Sequence, residues 1–184
     1  MNVLSLLRMP FSTSAVWPEL EASSSTVRSI FWALVVPLSL LPPAMILLVG
    51  QHHSNLWPAL EKQSWELTAL LFFLCELASV FLMGWLIRHV AATWGHRLNY
   101  PDTFLLAAIA PIPLWLSSLG LLVDSLPFNS LLSLLALTIS CMLIYRGIQA
   151  LCHVSEDIKA GAITQIVFGA GLILWALLLL LLIS

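Results

Sequence analysis

The sequence predicts an all-α, polytopic membrane protein, a helical bundle with five transmembrane helices, and three observations carry that prediction. Of 184 residues, 60% are hydrophobic, only 9% are Asp, Glu, Lys or Arg, and the mean hydropathy is +1.01. A soluble domain carries roughly 25% charge, so seven Lys/Arg and nine Asp/Glu are too few to cover a water-facing globule. The apolar residues fall into five runs of the length, about 20 residues, that crosses a hydrocarbon core of about 30 Å. The basic residues fall overwhelmingly on one side of those runs. This composition excludes a soluble enzyme, a nucleic-acid binder and a disulfide-stapled secreted domain, and a net charge of -2 points to no charged ligand.

Residues 1–28 form a short cytoplasmic or interfacial segment, and residues 29–184 form the transmembrane domain. The opening Met1-Asn-Val-Leu-Ser-Leu-Leu-Arg-Met-Pro-Phe lacks a basic residue before its apolar run and is interrupted by Arg8. It reads as a short interfacial helix and not as a signal peptide. The first span, 29–49, begins after Arg28 and carries no charge. The second, 67–87, contains one charge, Glu76. The third, 103–123, is opened by Pro101 and Asp102, a helix start signal. The fourth, 130–149, follows the turn Asp124-Ser-Leu-Pro-Phe-Asn129. The fifth, 162–183, ends in a leucine tract after the Lys159-Ala-Gly161 join.

Basic residues near span ends favour the cytoplasm. With the N-terminus inside, the inner side holds Arg8, Arg28, Arg88, Arg97, Arg146 and Lys159, and the outer side Lys62. Trp32, Trp85, Trp94 and Tyr100 then lie near the inner interface, and Trp57 and Trp65 near the outer one, as aromatic belts do. The N-terminus is therefore expected in the cytoplasm and the C-terminus outside.

Glu76 lies eleven residues after Trp65 and twelve before Arg88, which at 1.5 Å per residue puts it close to the bilayer midplane. An acid there costs on the order of 2.5–3.5 kcal/mol on insertion scales and normally faces the bundle interior with a partner. No Lys or Arg of the spans lies near that depth, Arg146 being at the inner end of the fourth, so Glu76 is expected as the uncharged acid, donating a hydrogen bond. It is either a packing bond, the preferred reading, or a proton relay or coupling site.

Candidate acceptors come from the prolines. Pro37, Pro42 and Pro43 interrupt the first span, and Pro111 and Pro113 the third. Each removes a helix hydrogen bond and frees a carbonyl about four residues earlier, which releases those of Leu38, Ser39 and Ile109. Leu38 and Ser39 are expected near the depth of Glu76, as is Ser140 in the fourth span. An intramembrane polar site of Glu76, Ser39 and Ser140 follows, with the five prolines as kinks. Gly161, Gly169 and Gly171 give the fifth helix small faces for close packing, within one chain or between chains.

His52 and His53 are adjacent and lie outside; His89, His96 and His153 lie inside. No pairs of zinc-ligand spacing occur among them, so no metal and no cofactor are expected. Cys75, Cys141 and Cys152 imply no disulfide. The motifs of zinc proteases, serine hydrolases and phosphate-binding loops are absent from the sequence, which leads to the expectation of a non-enzymatic protein.

The tail Trp17-Pro-Glu-Leu-Glu21, the Arg28-Ser-Ile-Phe-Trp start leading into Val36-Pro-Leu-Ser-Leu-Leu-Pro-Pro43, and the fourth-span ending Tyr145-Arg-Gly-Ile148 with a short acidic loop after it form a familiar pattern. It resembles the Yip family of Ypt/Rab-interacting proteins, in particular its compact bacterial branch. The resemblance implies five spans, a cytosolic N-terminus, an inner (plasma) membrane location and an interaction role, with no catalytic residues to carry over. The short N-terminal segment leaves a Rab-type GTPase out of the expected partners. Those partners are the lipid bilayer and other membrane proteins or further copies of the chain. A scaffold or accessory subunit is the expected role; the alternative is a small channel or proton-coupled transporter centred on Glu76 and the kinked first and third helices.

Overall fold

A computed structural model describes residues 26–52, 65–96, 98–151, 154 and 156–183, without the side chains of 50–52 and 181–183. The tail before Thr26, with the interfacial helix expected there and the Trp17 motif, lies outside the described residues, as do Trp57, Lys62, Arg97, Cys152 and His153. Among the described residues there is no strand, and five helices are long and apolar enough to cross a membrane: Val27–Val49, Trp65–Thr93, Tyr100–Leu122, Leu126–Leu151 and Asp157–Leu180.

Each helix shows what starts, breaks or stops it. Thr26 caps the first, its Oγ1 accepting from the Ser29 amide at 3.4 Å. The helix then widens into a π-turn over Phe31–Val35, where the Val36 amide reaches back to the Phe31 carbonyl just before Pro37. A second interruption falls at Leu40, ahead of Pro42 and Pro43, which lack the amides the Leu38 and Ser39 carbonyls would accept from. Leu38 is bonded by the Leu40 amide instead. The second helix is unbroken for 29 residues, about 44 Å at 1.5 Å each. It ends on Gly95 at φ 87°, with Gly95 N–H bonded to Ala92 and His96 N–H to Ala91, the paired bonds of a glycine-stopped helix.

The third span is broken. Tyr100–Ile109 stops at Ala110–Pro111, Ile112–Ser117 resumes beyond it, and a tighter 3-10 turn runs from Ser118 to Leu122. The fourth and fifth helices are continuous and begin earlier than hydropathy places them, at Leu126 and Asp157. Hydropathy finds only the part of a helix in hydrocarbon; Pro127 is tolerated in a first turn, and Asp157 complements a helix N-terminus. The second helix likewise continues past Arg88 to Thr93.

Helices successive in the chain run antiparallel. Gly84 meets Phe104, Tyr100 donates to the Phe81 carbonyl at 3.3 Å, and Gly120 meets Asn129 and Leu132. The second helix packs against the first, third and fifth, and the fourth closes the ring by touching both third and fifth. Residues Thr103 to Ile109 are buried without interruption, so this half of the third span sits at the centre. The main core gathers around it, from Leu34 and Val35 to Ile87, Ile148 and Val167. A smaller cluster of Ile46, Ala69 and Phe72 lies towards the opposite end. Exposed leucines such as Leu70, Leu74, Leu131, Leu135 and Leu177 form the outer, lipid-facing surface.

Candidate functional site: a buried carboxyl in an apolar cavity

Between the two core clusters lies a cavity of about 260 Å³ lined by all five spans. Its wall is mainly apolar, with Glu76 as the one ionisable side chain among the lining residues. The residues contributed by the second helix run from Phe72 to Ile87, a rise of about 22 Å, so the cavity is elongated along the bundle.

Glu76 is 6% exposed. Its Oε1 accepts a hydrogen bond from the indole Nε1–H of Trp115 at 3.0 Å, across the second and third spans. Trp115 is 3% exposed. The break at Ala110–Pro111 precedes it by one helical turn, and the Trp115 amide restarts the ladder by bonding the Pro111 carbonyl at 3.0 Å. The expected donation from Glu76 to a proline-freed carbonyl of Leu38, Ser39 or Ile109 is therefore corrected at one oxygen: the carboxyl accepts there, and from an indole. Its other oxygen, Oε2, is buried with no hydrogen-bond partner among the described residues.

The remaining expected site residues divide. Ser140, 3% exposed, lines the cavity with Glu76, and its Oγ is likewise without a partner among the described residues. Ser39 is buried but does not line the cavity; its hydroxyl donates to its own helix at the Val36 carbonyl, 3.3 Å away. Of the prolines, Pro42 and Pro111 line the cavity, while Pro37, Pro43 and Pro113 act on the backbone away from its wall. Ser79, Ser117 and Ser118 also line it, each with its hydroxyl bonded to a carbonyl of its own segment three residues earlier.

The packing glycines divide as well. A Cβ at Gly171 would reach ordinary contact, 3.8 Å from Met83 Cε, but one at Gly161 or Gly169 would meet nothing within 4 Å. Among the described residues, no neighbouring helix closes on those two positions. Close approach is made by Gly84, where a Cβ would lie 3.2 Å from the Phe104 Cα, and by Gly120, where it would lie 2.6 Å from Leu132. Spacing alone does not distinguish these glycines, because what matters is the facing backbone.

The Arg28, Arg88, Arg146 and Lys159 positions all fall at the same end of the antiparallel bundle. There Tyr145 donates to Asp157 at 3.2 Å and Gln149 donates to the same oxygen at 2.9 Å, tying the fourth helix to the start of the fifth. The Arg146 guanidinium lies 6.0 Å from the Tyr145 ring centre. His89 stacks near Trp85, and among the described residues no three His, Cys, Asp or Glu gather as a metal site.

The family model of the Yip1 domain matches residues 5–178, nearly the whole chain. The chain belongs to the Yip1 family. It is a multi-pass membrane protein of that family, all-helical with five spans. No curated protein and no solved structure matches it. In this Yip1 protein the Tyr145-Arg-Gly-Ile148 motif closes the fourth span at the cation-bearing end, where Gly147 and Ile148 are buried and Arg146 is half-buried.

Proposed function

We propose that this Yip1-family protein is a non-enzymatic scaffold or accessory subunit of the cell inner (plasma) membrane, with its N-terminus in the cytoplasm and its C-terminus outside. It holds other membrane proteins, or a second copy of itself, against its fifth span, and uses no cofactor. The observation that carries this reading is the uncovered small-residue surface of that span. A Cβ at Gly161 or Gly169 would meet nothing within 4 Å among the described residues, and small residues are what allow two membrane helices to approach closely. The Glu76–Trp115 bond supports it by giving the midplane acid a packing role. Nucleic acid and Rab-type GTPases are not among the partners proposed.

The test uses the same geometry. A Cβ at Gly169 meets nothing among the described residues, so Gly169→Leu is expected to keep thermal unfolding in mild detergent near wild type. Photo-crosslinking from residue 169 in native membranes is expected to give discrete protein adducts, and Gly161→Leu to remove them. Crosslinks to lipid alone would contradict the scaffold.

A second reading, a small channel or proton-coupled transporter, is favoured by one observation: Glu76, whose Oε2 has no partner among the described residues, lines a cavity that both proline-broken spans help to line. Proton flux into proteoliposomes that Glu76→Gln abolishes, in a folded protein, would establish it in place of the scaffold.

A further inference from the structure

The cavity has more structure than a packing defect. It is elongated, with an apolar wall, and two of its lining residues hold a buried oxygen without a partner among the described residues, Glu76 Oε2 and Ser140 Oγ. Below Glu76 towards the cation-bearing end, the wall is formed by Val80, Met83, Ile87, Ile144 and Val167, over a rise of about 16 Å along the second helix. An apolar cavity of about 150 Å³ accommodates benzene, so about 260 Å³ accommodates a larger, chain-shaped group. Buried polar oxygens are normally hydrogen-bonded.

We propose that this cavity binds a membrane amphiphile with a single aliphatic chain and a hydroxyl head, the head at Glu76 and Ser140 and the chain running towards Ile87. The head chemistry follows from the oxygens. A hydroxyl donates once and accepts up to twice, which suits one carboxyl oxygen and one serine hydroxyl. A phosphate head would bring negative charge beside Glu76 with no Lys or Arg lining the cavity. An ammonium head has three donors and finds two open oxygens, because Ser79, Ser117 and Ser118 are already bonded to backbone carbonyls. The proposal stands apart from the scaffold reading, since the fifth-span surface and the cavity are different places.

The experiment uses the full chain in phosphatidylcholine nanodiscs and a long-chain alcohol carrying a photoreactive diazirine in its tail. Peptide mapping is expected to place label on the cavity wall, at Val80–Ile87, Ile144 and Val167. n-Decanol is expected to compete strongly, and n-decylamine and decane weakly. Ser140→Ala removes one hydrogen bond to the head and is expected to weaken competition by n-decanol roughly fivefold. Gly171→Leu fills the cavity and is expected to abolish the labelling while the protein still unfolds cooperatively. Label confined to lipid-facing Leu131, Leu135 and Ile173 would overturn the site, and the wild-type map decides this even if a variant fails to fold. Decane or decylamine competing as well as decanol would overturn the hydroxyl head.

Discussion

Substituting Gly84 by Ala adds one methyl where the second and third helices are closest. That carbon would sit 3.2 Å from the Phe104 Cα, inside ordinary van der Waals contact, and the obstacle is backbone. Phe104 is fully buried within the buried stretch Thr103–Ile109, so the neighbouring helix has little room to retreat. Overpacking of this kind costs about 1–3 kcal/mol, against a helix-propensity gain for Ala over Gly of about 0.5–1 kcal/mol. The net expectation is a loss of about 0.5–2 kcal/mol. Gly169→Ala is the control: the same methyl meets nothing, so only the gain of about 0.5–1 kcal/mol remains. Unfolding by SDS titration from mild detergent micelles, comparing both variants with wild type, measures the contrast. Gly84→Ala as stable as Gly169→Ala would refute the assignment of Gly84 as the approach point of these helices.

Cysteines introduced at Ser125 and at Glu156 lie in loops at opposite ends of the bundle; membrane-impermeant maleimide added to intact cells is expected to label the first and miss the second. Reversal of that pattern would invert the orientation argued from the basic residues. Replacing both Pro111 and Pro113 by Ala restores two helix amides across the break in the third span, moving the Trp115 indole away from Glu76. The double variant is expected to lose stability by about 1 kcal/mol or more in the same titration, and unchanged unfolding would make the break incidental.

Much of this architecture is legible in the amino-acid order. The five spans follow from apolar runs, because lipid requires every backbone amide to be satisfied within its own helix. Glu76 stands out because a midplane acid has no inexpensive solution except burial, and buried it is. Its partner is harder to read. The proline-freed carbonyls of Leu38, Ser39 and Ile109 are the acceptors a sequence offers, and each belongs to a helix whose path is unknown until the breaks are built. Trp115 carried a usable signal: it sits deep within an apolar span, away from the interfaces where tryptophans gather, and a buried indole N–H requires an acceptor. Ser39 and Ser140 are equivalent in the sequence, yet one bonds its own backbone and the other faces the cavity, a difference of helix rotation. Gly161 and Gly169 resemble packing positions as strongly as Gly84 does; only the facing helix separates them.

The central claim is that the buried Glu76 carboxyl fastens the second span to the third through Trp115. A double-mutant cycle of Glu76→Met and Trp115→Phe, read by SDS unfolding, isolates that bond, because Met removes the acceptor and Phe the donor. The account predicts a coupling of about 0.5–1.5 kcal/mol, in the range of interhelical hydrogen bonds in membranes, and near-wild-type stability for Glu76→Gln, whose amide oxygen still accepts from the indole. Additive single effects, with no coupling between the two positions, would contradict it.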